Sequence, residues 1–204
     1  MSINFAACSF ISSASKPQHF VTDTGKEMAF AGRSNAGKSS VINCLTRQKQ
    51  LARTSKTPGR TQLINFFQIP QADEIRLVDL PGYGFAKVNM ATKMQWHKMI
   101  DHYLRHRLSL QGLILIMDCR HPLQPFDLQM LAWAKQASYK LHVLLNKSDK
   151  LSRSQASATL AKVRKYEDMD QENISIQLFS AKDRTGLQEL EAQLHMWFTT
   201  SSAS

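Results

Sequence analysis

The residues Gly32-Arg33-Ser34-Asn35-Ala36-Gly37-Lys38-Ser39 carry the spacing G-x-x-x-x-G-K-[ST] of a loop that wraps phosphate. Its glycines let the backbone close around an anion with successive N–H groups turned inward. Lys38 supplies a point charge for β- and γ-phosphates, and the Ser39 hydroxyl can ligate Mg²⁺. The apolar run over 27–31 leads straight into the loop, and a helix expected from Lys38 to about Arg47 adds its positive end. A plain glycine-containing turn between strand and helix has no need of a Lys-Ser pair at that offset. The chemistry indicated is binding of a nucleoside triphosphate.

Three further patterns narrow the ligand. Asp79-Leu80-Pro81-Gly82 gives D-x-x-G, in which the aspartate can hold the water shell of Mg²⁺ and the Gly82 N–H can sense a γ-phosphate. In isolation D-x-x-G marks many turns; downstream of a phosphate loop it reads as part of the same site. Asn146-Lys147-Ser148-Asp149 gives N-K-x-D. The Asp149 carboxylate can accept both N1–H and N2–H₂ of guanine, whereas adenine presents a bare acceptor at N1. Lys147 can lay its stem across the base, and Asn146 can tie this loop to the phosphate loop. Ser180-Ala181-Lys182, after the run Ile174–Phe179, fits a short loop whose N–H groups meet guanine O6. Thr61, in Thr57-Pro58-Gly59-Arg60-Thr61-Gln62-Leu63, is the threonine expected to close on Mg²⁺, with Thr54 and Thr57 as competitors. Lys38, Thr61 and Gly82 are then the residues expected to act on the phosphoryl group. Together the patterns describe a guanine-nucleotide switch whose loops are held by γ-phosphate and Mg²⁺ and relax on hydrolysis.

Such residues need strands to present them. Short apolar runs predict strands at Met28–Ala31, Gln62–Ile69, Ile75–Asp79, Leu113–Asp118, Leu141–Asn146 and Ile174–Phe179. Helical patterns fall at Lys38–Thr46, Thr92–Arg107, Pro125–Gln136, Ser152–Tyr166 and Gly186–Thr199, the last with Leu187, Leu190, Leu194 and Trp197 on one face. The alternation predicts a three-layer α/β fold, with a mostly parallel central sheet and helices on both faces; with the phosphate loop and the other motifs, the expected type is the P-loop NTPase (Ras-like) fold. Ligands of such sheets sit at the carboxyl ends of strands, where every motif above falls. The Ser-rich stretches Ser12-Ser13-Ala14-Ser15 and Ser201-Ser202-Ala203-Ser204 read as loop or frayed terminus, and Gln50–Thr61 as a mobile loop. The expected division is an N-terminal segment over 1–22 leading into the first strand, one nucleotide-binding domain over 23–200, and a disordered tail over 201–204.

The 204 residues suffice for one well-buried domain. A net charge of +10 points to a polyanionic partner, nucleic acid or an anionic membrane surface, or to a solvated basic face. Three scattered cysteines, Cys8, Cys44 and Cys119, suggest neither disulfides nor zinc and fit a reducing cytoplasm. No apolar run is long enough to span a bilayer and no signal peptide is apparent, so stable membrane insertion is not expected.

The order of motifs is similar to the TrmE-Era-EngA-like small GTPases and resembles most the EngB (YihA or YsxC) family of ribosome-biogenesis GTP-binding proteins. The likeness rests on G-R-S-N-A-G-K-S-S from Gly32, T-P-G-R-T-Q-L from Thr57, D-L-P-G-Y-G from Asp79, D-C-R-H-P-L from Asp118 and N-K-S-D-K from Asn146. The pairing of D-L-P-G-Y-G with D-x-R-H-P is its specific part. The resemblance implies assembly of the large ribosomal subunit and a link to cell division and septation. It places guanine-nucleotide contacts on Gly32–Ser39, Gly59–Leu63, Asp79–Gly82, Asn146–Asp149 and Phe179–Ala181, and Mg²⁺ ligands on Ser39 and Thr61.

Tyr83 stands where Ras-like enzymes carry a water-orienting glutamine, which implies slow intrinsic hydrolysis. Asn35 has two readings: a K⁺ ligand against the phosphates, or a residue that stabilises the loop. Lys93, His97, Lys98, Arg105 and Arg107, with Lys49, Arg53, Lys56 and Arg60, could meet ribosomal RNA phosphates or form a solvated face. A monomeric, cytoplasmic protein is expected. The alternatives are a nucleotide-regulated interaction protein at the division septum and a metabolic P-loop kinase, against which N-K-S-D argues.

Overall fold

A computed structural model of the chain describes residues 3–52, 63–70, 74–82, 90–137, 139–166, 169 and 172–199. Seven strands form one sheet: β1 (Ser9–Ala14), β2 (Lys26–Gly32), β3 (Ile64–Ile69), β4 (Ile75–Asp79), β5 (Leu110–Asp118), β6 (Lys140–Asn146) and β7 (Ile174–Leu178). Their spatial order is β1-β3-β4-β2-β5-β6-β7. The pairs from β4 through β7 are parallel, while β1–β3 and β3–β4 are antiparallel. Among the described residues, five α-helices flank the sheet: α1 (Lys38–Leu45), α2 (Met90–His106), α3 (Pro125–Ala137), α4 (Arg153–Arg164) and α5 (Leu187–Thr199).

The central strands are covered on both faces, which is why they read as unbroken apolar runs. Successive side chains go to opposite sides. Ala29 and Ala31 of β2 with Leu113, Leu115 and Met117 of β5 pack on Tyr103 and Leu104 of α2 and Leu131 of α3. Met28 and Phe30 with Ile114 and Ile116 pack on Val41, Ile42 and Leu45 of α1 and the Leu187, Leu190, Leu194 and Trp197 stripe of α5. α4 opens on a capping box, with Ser152 Oγ accepting from the Gln155 N–H and Gln155 Oε1 from the Ser152 N–H.

Below the sheet's working end, the Glu27 carboxylate is fully buried at the start of β2. It accepts from Tyr103 Oη at 2.8 Å, Arg107 Nε at 2.9 Å and Nη2 at 2.6 Å, and Arg76 Nη1 at 3.3 Å. This overturns one expectation: Arg107 does not face a partner's phosphates, because its guanidinium is spent on joining α2 to β2.

A second correction concerns Ser12-Ser13-Ala14, which form part of β1 at the sheet edge rather than loop, with only Ser15 beyond the strand. The first strand thus lies inside the 1–22 segment. It pairs with β3 through a bulge between Phe10 and Ser12, and Ser13 Oγ donates to Asn65 Oδ1 at 2.6 Å. Most of its side chains are exposed, so no alternation marks it, and its bulge is a usual protection of an open edge. Among the described residues no helix is long and apolar enough to cross a membrane.

Candidate functional site

Five parallel strand ends meet at one edge: Gly32 of β2, Asp79 of β4, Asp118 of β5, Asn146 of β6 and Leu178 of β7. The phosphate-loop residues Arg33, Ser34, Asn35 and Ala36 cross from β2 to Gly37, the N-cap of α1. Gly37 has φ 99° and offers no side-chain cap, so no side chain takes up the first-turn N–H groups of α1 at this cap. A Cβ on Gly37 would run into the Asn146 amide, so only glycine fits. Asn35 has φ 65°, a left-handed conformation that asparagine tolerates better than most residues.

Lys38 is the first residue of α1 and is 7% exposed. Its ammonium donates to the Asp79 carboxylate, itself buried at the end of β4. Ser39 follows in the first turn, half-buried. Leu80 and Pro81 are buried, with the Leu80 N–H donating to Phe30 O at 3.0 Å. Gly82 then comes over the phosphate loop: a Cβ there would lie 3.6 Å from Ser34 Cα.

On the other side, Asn146 Nδ2 donates to Ala36 O at 2.8 Å and Lys147 Nζ donates to Asn35 O. The Ser148 N–H bonds Phe179 O at 3.1 Å, bringing the N-K-S-D loop against the segment after β7. Asp149 Oδ1 accepts from Ser180 Oγ at 3.0 Å. Its Oδ2 is buried without a hydrogen bond, the Lys150 ammonium lying 3.5 Å away, and Asn146 Oδ1 is likewise buried without a donor. Buried acceptors left unpaired cost free energy, on the order of 1–3 kcal/mol each, until a donor arrives. In Ser180-Ala181-Lys182 the Ser180 N–H is taken by Thr185 O at 3.1 Å and the Lys182 N–H by Ser180 Oγ at 3.3 Å. The expected loop of N–H donors is thereby narrowed to Ala181.

Gly59, Arg60, Thr61 and Gln62 lie outside the described residues, as do Arg53, Thr54, Lys56, Thr57 and Tyr83 and the tail 201–204; Leu63 stands immediately before β3. The side chains of Lys93 and His97 are outside them too. Lys49 and Lys98 are exposed, and Arg105 is exposed and paired with Asp101.

Two residues that sequence reasoning gave no site role stand at the site. The Asp118 carboxylate accepts from Lys147 Nζ at 2.9 Å and, as a fork, from Arg120 Nε at 2.9 Å and Nη2 at 2.7 Å. Burial would raise the Asp118 carboxyl, but hydrogen bonds from Arg120 and Lys147 override it and hold it well below the usual carboxylate range. Their only signal in the sequence was the D-C-R-H-P-L string.

Residues 27–147 match the family model described as 50S ribosome-binding GTPase. The chain is 56% identical over 178 residues to a probable GTP-binding protein EngB of Acinetobacter baumannii, covering 87% of this chain and 84% of that one. It is 49% identical over 189 residues to a probable GTP-binding protein EngB of Coxiella burnetii, covering 93% and 91%. Among solved structures, a probable GTP-binding protein engB superposes with TM-score 0.65 at 22% identity, over 84% of this chain and 98% of that one. Era in complex with MgGDPNP and nucleotides 1506–1542 of 16S ribosomal RNA gives TM-score 0.67 at 19% identity, over 89% and 59%. The phosphate loop, the aspartate at the end of β4 and the N-K-S-D loop thus stand in a P-loop GTPase fold, and the chain belongs to the EngB family of GTP-binding proteins.

Proposed function

We propose that this GTPase is a nucleotide-dependent switch in assembly of the large ribosomal subunit, and that normal cell division and septation depend on it. One observation carries the guanine-nucleotide part: Asp149 Oδ2 is a buried acceptor without a hydrogen bond, beside the loop that presents Ala181. Guanine presents N1–H and N2–H₂ side by side to a carboxylate on that edge, where adenine presents a bare N1 acceptor and a C–H. The ribosomal part is supported by the matched family description and by the net charge of +10, which suits an RNA partner.

In this reading the phosphates lie against the N–H groups of 33–39, and Lys38 leaves Asp79 for the β- and γ-phosphates. The oxygens of Ser39 and Thr61 are hard ligands that would hold Mg²⁺, and the Asp79 carboxylate would hold its water shell. Bound Mg²⁺ supplies neutralisation of the charge that develops on the phosphate oxygens. The Gly82 N–H reports the γ-phosphate, Gly59–Leu63 close over the nucleotide, and Lys147 and Ser148 line the base. Because the sequence has Tyr83 where Ras-like enzymes carry the water-orienting glutamine, intrinsic hydrolysis is slow. K⁺ against Asn35 is part of the proposal, although the φ of 65° already accounts for asparagine on backbone grounds. Turnover faster in KCl than in NaCl, with the difference lost in Asn35→Gly, is expected; equal rates in wild type remove K⁺ from the mechanism. The protein acts as a cytoplasmic monomer.

The test is affinity for GTP, GDP and ATP, followed by co-sedimentation with large-subunit particles in each nucleotide state. Guanine selectivity with tighter particle association in the GTP state is expected. Guanine selectivity with association to the envelope fraction instead moves the partner to the division septum. Equal affinity for ATP overturns the reading.

A further inference from the structure

The D-C-R-H segment that begins at the last residue of β5 has no task in the mechanism above, yet it is stitched to both halves of the site. The Cys119 N–H donates to Asn146 O at 2.8 Å, so strand pairing continues one residue beyond β5 into the base loop. The Asp118 carboxylate accepts four hydrogen bonds: three from Arg120, through Nε, Nη2 and the backbone N–H at 3.1 Å, and one from Lys147 Nζ. The same Lys147 ammonium donates to the Asn35 carbonyl in the phosphate loop. A lone exposed ion pair would count for little. Here the Asp118 side chain is 13% exposed and that of Lys147 27%, and the Arg120 fork leaves the carboxylate one orientation.

We propose that Asp118 is a positioning residue for nucleotide binding: oriented by Arg120, it holds the Lys147 side chain stretched between the base loop and the phosphate loop. This rests on the guanine-nucleotide reading above. The lysine stem is flexible when free, and tying its ammonium to the end of β5 and to the phosphate loop forms that wall of the base site before the nucleotide arrives. Asp118 acts through Lys147 and not through the Asp149 oxygens, so its loss weakens binding without altering which base is preferred.

The experiment titrates GDP, IDP and ADP into wild type, Asp118→Asn, Lys147→Ala and the double variant, and records the thermal midpoint of each without nucleotide. Asp118→Asn is expected to weaken GDP about tenfold, the loss of one charge-assisted hydrogen bond. It keeps the wild-type ratio of GDP to IDP affinity and adds nothing further in the Lys147→Ala background. Unchanged GDP affinity overturns the role, including the case where only the thermal midpoint falls. Losses that multiply in the double variant overturn it as well. If Asp118→Asn does not fold, Arg120→Ala at the exposed end of the fork is expected to weaken GDP about threefold, and no weakening overturns the proposal. A wild type that binds ADP as well as GDP defeats the guanine-nucleotide reading itself. A selective wild type with an unaffected Asp118→Asn defeats only the positioning role.

Discussion

Lys38 and Asp79 form a buried ion pair that joins the first turn of α1 to the end of β4, across forty-one residues of sequence. Each neutralises the other where water is excluded. Removing one partner of such a pair strands a charge, at a cost of about 3–5 kcal/mol. Lys38→Met should therefore lower the stability of the nucleotide-free protein by that order as well as abolish nucleotide binding. Adding Asp79→Asn should restore much of the stability and none of the binding. Urea unfolding of the single and double variants decides it; a single variant as stable as wild type contradicts the pairing.

Gly37→Ala places a methyl group against the Asn146 amide, at a φ of 99° that L-residues avoid. The strain alone is worth about 1–2 kcal/mol. Because Asn146 Nδ2 is the donor to Ala36 O, displacing it separates the two loops. GDP affinity is expected to fall by at least about a hundredfold, measured by calorimetry, with a smaller loss of stability; retained affinity would show that the loops need not touch.

Glu27→Gln isolates the effects of the buried network from those of the site. Two arginines, Arg76 and Arg107, lose the carboxylate they share, and the expected destabilisation is about 3–5 kcal/mol. Glu27 lies five residues before Gly32, about 16 Å along the strand. GDP affinity should stay within about twofold of wild type once the variant is folded. A large change in affinity would mean that the network reaches the nucleotide site.

Stability should depend on pH through two buried groups of opposite sign. Burial pushes the Asp127 carboxyl up to about 6, outweighing the Gln124 N–H that it accepts at 2.9 Å and the nearby Arg33. The native state then holds a proton that the unfolded chain has lost between about pH 4 and 6, so stability falls as pH rises through that window. Burial lowers His142, against the Gln177 hydrogen bond at 2.8 Å, so stability is lost as pH falls below about 6.5, the unfolded value. Asp127→Asn removes the first effect alone. Its stability relative to wild type should rise between pH 4 and pH 7.5, by roughly 2–3 kcal/mol, while its own curve still falls on acidification through His142. Parallel curves for the two proteins would contradict the assignment to Asp127.

Much of the architecture was legible because parallel strands buried on both faces write themselves as continuous apolar runs. Ile75–Asp79 was read residue for residue, and Leu113–Asp118 and Leu141–Asn146 missed only their first residues. The N-terminal strand left no such trace, since β1 is a polar edge whose register is set by β3 and by the Asn65 amide.

Neighbouring residues alone specify the phosphate loop, the D-x-x-G and N-K-S-D loops and where the central strands fall along the chain, because local backbone geometry and strands buried on both faces are written into adjacent positions; the spatial order of those strands, β4-β2-β5-β6, is not. That Arg107 is a buried partner of Glu27 and not a surface cation, that Asp118 and Arg120 stand at the base loop, and that Lys38 rests on Asp79 follow from the folded arrangement alone. Each of those depends on a partner brought in by another strand or helix, and the energy of a charge depends on what surrounds it in space.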